Sequence, residues 1–369
     1  MKACVTGATG FVGAHVVRAL AERGDDVRVV YRNPERLKAL AGIRFRRRKS
    51  DVLDYKSMRR ALRGTDVLFH VAGFVASSPI QRVWELNAEG PVIAVEAAAA
   101  EGVRRVVLTS TISAIGTANG NGPADESTDY PEDWLGLAYP DSKHAGERAA
   151  LEAAERHGID LVVVNPGYVL GVPIDRSQPG ETSTRTIGNY LRGRLPGVLD
   201  APMNFVDVED VAAGELLAAD RGRPGERYIL GGVNLEWAEM IDRVAELSGV
   251  RYPIMVLPMS IRRLMRIREA IGLPGALSAE ASNLMGQDWR FTSQKAREEL
   301  GYAARPFDET LAATIGWYLE LIEAGVFDDS PVSGLSRWAD SMRIASRLGL
   351  LTPLRVGQRV VGRRIIAGG

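Results

Sequence analysis

Tyr139 and Lys143 stand four residues apart in Tyr139-Pro140-Asp141-Ser142-Lys143. Residues at that spacing share one face of a helix. An ammonium held beside a phenol lowers its pKa from a reference of about 10. A Tyr so tuned exchanges a proton with a substrate hydroxyl or carbonyl near neutral pH. A second signal opens the chain. Val5-Thr6-Gly7-Ala8-Thr9-Gly10-Phe11-Val12-Gly13 runs from a strand pattern, through glycines three apart, into a helical pattern. Gly7 permits a tight turn, Gly10 lets the backbone approach a pyrophosphate, and Gly13 allows close helix–strand packing. Thr9, Phe11 and Val12 complete the turn, and the helix start offers unpaired N–H groups and partial positive charge to phosphates. Either motif alone is weak, because Tyr-x-x-x-Lys is common on protein surfaces. Their order, with the hydroxyl-rich run Thr109-Ser110-Thr111 between them, points to a dinucleotide enzyme.

Cofactor choice is read at the end of the second strand. An NAD site usually places Asp or Glu about 20 residues past the glycines to bond the ribose 2′-hydroxyl. Here that stretch is Tyr31-Arg32-Asn33, without an acid. Arg32 suits a 2′-phosphate and can stack on adenine, so NADP(H) is expected, with NAD(H) second. The plainer reading of Arg32 is a solvated strand-end charge. The basic run Arg46-Arg47-Arg48-Lys49 is expected on a solvated edge, with one member in reach of that phosphate.

These residues need a scaffold that brings them together. Strand patterns occur at Lys2–Thr6, Val27–Tyr31, Arg44–Arg46, Val67–Ala72, Val106–Ser110 and Leu161–Asn165. Helical patterns separate them at Val12–Arg23, Lys56–Leu62, Pro91–Glu101 and Ser142–His157. Such alternation predicts an α/β fold, a doubly wound parallel sheet of the Rossmann kind. Residues 1–171 are expected to form this domain. From Val172 the alternation loosens, with Pro173, Pro179, Pro196 and Pro202 interrupting the chain. Helical patterns return at Asp210–Ala219, Trp237–Leu247, Ser260–Ile271 and Asp308–Glu323. Residues 172–330 are therefore expected to form mainly a smaller α+β substrate domain, with some segments returning to the first.

Composition narrows the classes. The 369 residues carry 46 Lys+Arg and 46 Asp+Glu, which argues against a nucleic-acid partner. With 46% apolar and 25% charged residues, the chain is an ordinary globular one, neither disordered nor fibrous. The single cysteine, Cys4, excludes an intrachain disulfide and reads as a buried strand residue. The four histidines, at 15, 70, 144 and 157, show no metal-ligand spacing, so no metal is expected. No leader or membrane-length apolar run is seen, which predicts a cytoplasmic protein. Residues 331–369 hold seven Arg against one Asp, with Leu335, Trp338, Met342 and Ala345 on one helical face. This basic C-terminal extension reads as a helix docked on its own chain or on a second subunit. Peripheral contact with an anionic membrane is the alternative.

The motifs together resemble an extended short-chain dehydrogenase/reductase over residues 1 to about 325. That group includes dihydroflavonol reductases, cinnamoyl-CoA reductases, 3β-hydroxysteroid dehydrogenases and sugar-nucleotide epimerases. The resemblance makes Gly7, Gly10 and Gly13 the cofactor glycines. It assigns Asp51-Val52 to the adenine and passes His70-Val71-Ala72-Gly73 under the adenosine. It sets Pro166 and Val169, in Asn165-Pro166-Gly167-Tyr168-Val169-Leu170-Gly171, beside the nicotinamide. Tyr139 and Lys143 become the catalytic pair, and Asn87, in Leu86-Asn87-Ala88-Glu89-Gly90, a structural Asn near them. Counting back from Gly116 puts Thr111 where the family has its catalytic Ser; a Thr hydroxyl can make the same hydrogen bond. Ser110 or Ser113 would replace it if the register slips. Phe205-Val206-Asp207-Val208-Glu209-Asp210-Val211-Ala212 resembles the element opening the next helix, its acids capping that helix. The family also often dimerises, which here implies helices 91–101 and 142–157 as the interface.

Three reaction classes share this machinery. Sugar dehydration needs a carboxylate pair beside the catalytic hydroxyl, where this chain has Ile112 and Ser113. Epimerases usually carry a basic residue before the Phe-Val-x-Val element, where this chain has Pro202-Met203-Asn204. Leu230-Gly231-Gly232 and Gly225-Glu226-Arg227-Tyr228, in contrast, resemble proteins called hopanoid-associated sugar epimerases. The expectation is an NADP(H)-dependent reductase of a small ketone or aldehyde, or oxidant of the matching alcohol. A sugar-nucleotide epimerase with tightly bound NAD and a non-catalytic nucleotide-binding protein are the alternatives. Met203, Phe205, Tyr168 and Trp134 suggest an apolar pocket, although such residues are more often plain core.

Overall fold

The computed structural model describes residues 1–118, 120, 122–131, 135–179, 183–258 and 283–327, and beyond them 341, 344–345, 348, 351, 358 and 364–368. In β1 (Lys2–Thr6), Ala3 and Val5 join one apolar core while Cys4 joins another. That is the period of two a strand imposes. Both faces must then be covered, which favours a parallel sheet between helices. β1 lies in such a sheet with β2 (Asp26–Tyr31), β3 (Arg46–Lys49), β4 (Val67–His70), β5 (Arg105–Thr109), β6 (Asp160–Pro166) and β10 (Arg227–Leu230). Its seven strands run in the order β10-β6-β5-β4-β1-β2-β3. The order reverses between β1 and β4, and doubly wound folds bind ligands beyond the strand ends at that switch point.

Helices α1 (Phe11–Glu22) and α7 (Val208–Arg221) cover one face of the sheet. Helices α2 (Tyr55–Leu62), α4 (Gly90–Ala100) and α5 (Ala138–His157) cover the other. The expected doubly wound α/β fold is therefore present. Two boundaries differ from expectation in ways that matter. The strand expected at Arg44–Arg46 instead begins at Arg46, so the basic run is itself the edge strand, pairing Arg28 with Arg46 through Tyr31 with Lys49. All four of its side chains are exposed, and charge on an edge strand discourages further pairing. Helix α5 starts four residues before the expected Ser142, placing Tyr139 in its first turn. Pro140 is tolerated there because first-turn N–H groups lack helical partners.

Two smaller sheets follow. One joins β7 (Tyr168–Leu170), β9 (Pro202–Asp207) and β11 (Val233–Glu236) in the order β11-β9-β7. The other joins β8 (Gly197–Leu199), β12 (Ile254–Leu257) and β13 (Ile366–Ala367) in the order β13-β12-β8. Helices α6 (Arg185–Leu191), α8 (Trp237–Ser248) and α9 (Phe307–Glu323) pack with them around Tyr190, Phe205, Trp237, Trp289 and Trp317. Met203 and Phe205, expected to line a pocket, are instead core residues, 5% and 0% exposed. Beyond residue 171, β10 forms the outer strand of the large sheet and α7 packs on its face.

The chain's far end docks on its own body. β13 pairs antiparallel with β12, and Arg364 forms an ion pair with Asp242. Gly368 N donates to Asp242 Oδ1 at 2.6 Å, and its carbonyl accepts from Tyr190 Oη at 2.7 Å. Leu335, Trp338 and Met342, on which the amphipathic-helix reading rested, lie outside the described residues, as do Ser260–Ile271 and Trp134. Among the described residues no helix is long and apolar enough to cross a membrane.

Candidate active site

The glycine turn joins β1 to α1. Gly7 adopts φ +64°, and a Cβ there would lie 2.6 Å from Ala72 N and 2.7 Å from the Val71 carbonyl carbon. A Cβ on Gly13 would lie 2.3 Å from Gly7 O, so the helix presses directly on the turn. Gly10 N donates to Gly7 O at 2.9 Å, and Gly10 caps α1 without a side-chain hydrogen bond. Phe11, Val12 and Gly13 form the first turn of α1, whose N–H groups lack the i−4 carbonyls of an interior turn. A phosphate fits this cradle on steric and electrostatic grounds alike.

Beside the turn runs the end of β4. His70 is fully buried, its Nδ1 3.1 Å from Thr6 Oγ1, and Ala72 N donates to the same hydroxyl at 3.4 Å. Burial, then the charge of Lys143, pushes the His70 imidazole down to about 3, so it stays neutral. Val71, Ala72 and Gly73 follow, and a Cβ on Gly73 would sit 3.3 Å from Asn87 Oδ1 and 3.6 Å from Lys143 Nζ. Asn87 lies in a π-turn, Glu85–Glu89, a deformation frequent at functional sites. Its Oδ1 accepts from Phe74 N at 2.8 Å, and its Nδ2 donates to Phe74 O at 3.0 Å and to Ser142 Oγ at 3.1 Å. Ser142 Oγ in turn donates to Tyr139 O at 2.9 Å. Asn87 thus ties the β4 loop to the turn that carries Tyr139.

Thr111 follows β5, and its hydroxyl acts on the Tyr139 phenol. It also accepts from Ser113 N at 3.3 Å. Burial dominates at Tyr139 and pushes the phenol up to about 12, with Thr111 opposing. The expected lowering by Lys143 does not occur. The ammonium turns to the backbone instead, Nζ donating to Thr109 O at 2.8 Å. Its charge meets Glu147 and Glu215, which oppose the effect of burial that lowers Lys143 to about 8. Thr111, Tyr139, Lys143, Asn87 and Gly73 are therefore gathered at the strand ends, within reach of the glycine turn.

A β-strand, glycine turn and helix thus lead to this hydroxyl–phenol–ammonium cluster. Residues 3–231 match the NAD dependent epimerase/dehydratase family. The chain belongs to that family. Members of this family are NAD(P)-dependent enzymes of the extended short-chain dehydrogenase/reductase type, and so is this chain. It is 32% identical to sterol demethylase protein B of Methylococcus capsulatus, covering 87% of this chain and 99% of the relative. It is 31% identical to a putative dihydroflavonol 4-reductase of Synechocystis, covering 85% and 93%. A solved nucleoside-diphosphate-sugar epimerase from Pseudomonas aeruginosa superposes with a TM-score of 0.73 at 29% identity, covering 89% of this chain and 99% of that one.

The other residues expected to bind the cofactor lie on further elements. Arg32 follows β2, 66% exposed at its side chain, 4.0 Å from Asp51. Asp51 Oδ1 accepts from Leu53 N at 3.1 Å, and Val52 is half-buried beside it. Pro166 closes β6, buried, and Val169 lies in β7 with its carbonyl accepting from Ser183 Oγ. Asp207 caps α7 through Glu209 N, while Glu209 pairs with Arg18 and Arg305 and Asp210 pairs with Arg305. Cys4 is buried, its thiol pushed up to about 12, and is an inert core residue. Sequence reasoning missed Glu147, Asn165 and Glu215. Glu215 was legible as an acid on the buried stripe Val208, Val211, Glu215 and Ala218 of α7, a position an amphipathic pattern reserves for apolar groups.

Proposed function

We propose that the chain is an NADP(H)-dependent oxidoreductase that reduces a ketone or aldehyde, or oxidises the matching secondary alcohol. The juxtaposition of Thr111, Tyr139 and Lys143 beside Gly73 carries this reading. The glycine cradle and uncapped α1 fit a pyrophosphate, and the bound nicotinamide supplies or accepts the hydride. Thr111 holds the substrate oxygen by a hydrogen bond. Tyr139, whose raised pKa keeps the phenol protonated at neutral pH, donates its proton to that oxygen as it becomes a hydroxyl. Lys143, across from Gly73, binds the nicotinamide ribose. Arg32, exposed at the end of β2 and 4.0 Å from Asp51, pairs with a 2′-phosphate. A homodimer through α4 and α5 accompanies this reading, and gel filtration with light scattering checks it.

The test has two arms. Tyr139→Phe leaves NADPH binding within about twofold but lowers turnover by about a hundredfold to ten-thousandfold; equal turnover would remove Tyr139 from the chemistry. Arg32→Ala weakens NADPH by about tenfold, as expected for one lost charge-assisted bond, and leaves NADH unchanged. A preference for NADH in the unaltered protein would overturn the cofactor choice. The second reading, a sugar-nucleotide epimerase, is favoured by the likeness to the Pseudomonas epimerase. It predicts stoichiometric NAD retained through purification and no net cofactor turnover.

A further inference from the structure

Glu215, on α7, is completely buried beneath the site, and no step above uses it. Its Oε1 accepts from Thr109 Oγ1, and its Oε2 has no hydrogen-bond partner among the described residues. Thr109 closes β5 and meets two charged groups at once. Its side chain points with that of Val107 toward α7, while its carbonyl accepts from Lys143 Nζ at 2.8 Å. On the other face of the sheet, Glu147 lies one turn past Lys143. It accepts from Asn165 Nδ2 at 2.9 Å and sits 3.4 Å from Arg227. A carboxyl with no water contact ionises only where a nearby cation offsets the loss of solvation. Lys143 is the cation that acts on Glu215, and Glu215 in turn acts on Lys143.

We propose that Glu215 is a positioning residue for Lys143: it fixes Thr109, whose carbonyl anchors the ammonium, and on the alkaline side, where it ionises, it adds the negative charge that holds that ammonium protonated in a dry site. This deepens the reading of Lys143 as the ribose-binding cation and rests on it. The titratable neighbours from the surrounding elements are Tyr139, Lys143 and Glu147 on α5, His70 on β4 and Arg227 on β10. His70 is held neutral, Tyr139 protonated, and Arg227 faces Glu147. The charge states of Lys143 and Glu215 therefore move together. Loss of the Glu215 charge makes Lys143 release its proton at lower pH.

Glu215→Gln, Glu215→Asp and Thr109→Val test this in the full chain. NADPH and NADH affinities are read by fluorescence, and melting of the nucleotide-free protein is followed over the same pH series. In Glu215→Gln the pH at which nucleotide affinity falls moves down by about one unit, a loss of about tenfold on the alkaline side, with affinity at acid pH within about twofold. Glu215→Asp restores the profile, and Thr109→Val shifts it in the same direction as Glu215→Gln. Burial raises the Glu215 carboxyl from an ordinary 4.5 to about 8. The folded protein thus keeps a proton the unfolded chain has lost, and stability falls as pH rises through that window. Glu215→Gln removes this decline. Binding and melting profiles that superimpose on those of the unaltered protein would overturn the proposal. Should the unaltered protein bind neither nucleotide, the oxidoreductase reading fails while the melting curves still decide Glu215. Should Glu215→Gln not fold, an unshifted Thr109→Val profile overturns it.

Discussion

His15 shows how one buried side chain sets an acid limit on the whole fold. Its Nε2–H donates to Val172 O at 3.0 Å, and its Nδ1 accepts from Arg18 Nη2 at 3.2 Å. Both ring nitrogens are therefore used in the neutral form. Burial first, then Arg18, pushes the imidazole down to about 4 from an ordinary 6.5. Below that ordinary value the unfolded chain takes up a proton that folded His15 refuses. Stability contributed by neutral His15 is thus intact above pH 6.5 and lost progressively as pH falls toward 4. His70 acts in the same sense. Each contributes a slope of up to about 1.4 kcal/mol per pH unit. Urea unfolding across this acid range, compared between the unaltered protein and His15→Gln, checks the claim. The variant's midpoint should fall less steeply with acid, and parallel curves would refute it.

At the scale of elements, the site depends on close approach between helix α5 and the π-turn that holds Asn87. A Cβ on Gly146 would lie 1.9 Å from Asn87 O. Gly146→Ala therefore forces the two apart, and with them the Asn87–Ser142–Tyr139 chain of hydrogen bonds. A cost of about 1–3 kcal/mol is expected from overpacking, together with weakened catalysis. Gly316, inside α9, has nothing within 4 Å of its would-be Cβ. Gly316→Ala should instead stabilise by about 0.5–1 kcal/mol through helix propensity. Denaturant midpoints of the two variants should move in opposite directions; a shared direction would contradict the packing argument.

At the scale of the molecule, the two ends of the chain do different work. The opening turn forms the proposed cofactor cradle, whereas the final residues clamp α6, α8 and β12 through Tyr190, Asp242 and β13. Truncation after Phe327 removes those bonds and leaves the glycine turn, Arg32, Thr111, Tyr139 and Lys143 intact. It should lower stability by about 1–3 kcal/mol, or several degrees in Tm, from the lost hydrogen bonds and strand pairing. NADPH affinity should remain within about twofold. Melting and fluorescence titration measure both, and an unchanged Tm would show that the tail contributes nothing to the fold.

The large sheet was legible because strands buried on both faces read as apolar runs between helical repeats, as at Val67–His70 and Val106–Thr109. The glycine turn was legible because steric demands at Gly7 and Gly13 admit no other residue. The helix start at Ala138 was hidden by Pro140, and β3 by its four charges, since both override the apolar pattern that sequence reading follows. The sequence by itself determined that a phenol and an ammonium share a helix face. Only the tertiary structure decided where the ammonium turns, to the Thr109 carbonyl and toward Glu147 and Glu215. Burial and backbone acceptors at a strand end are contributed by segments more than thirty residues apart, and no local spacing records them.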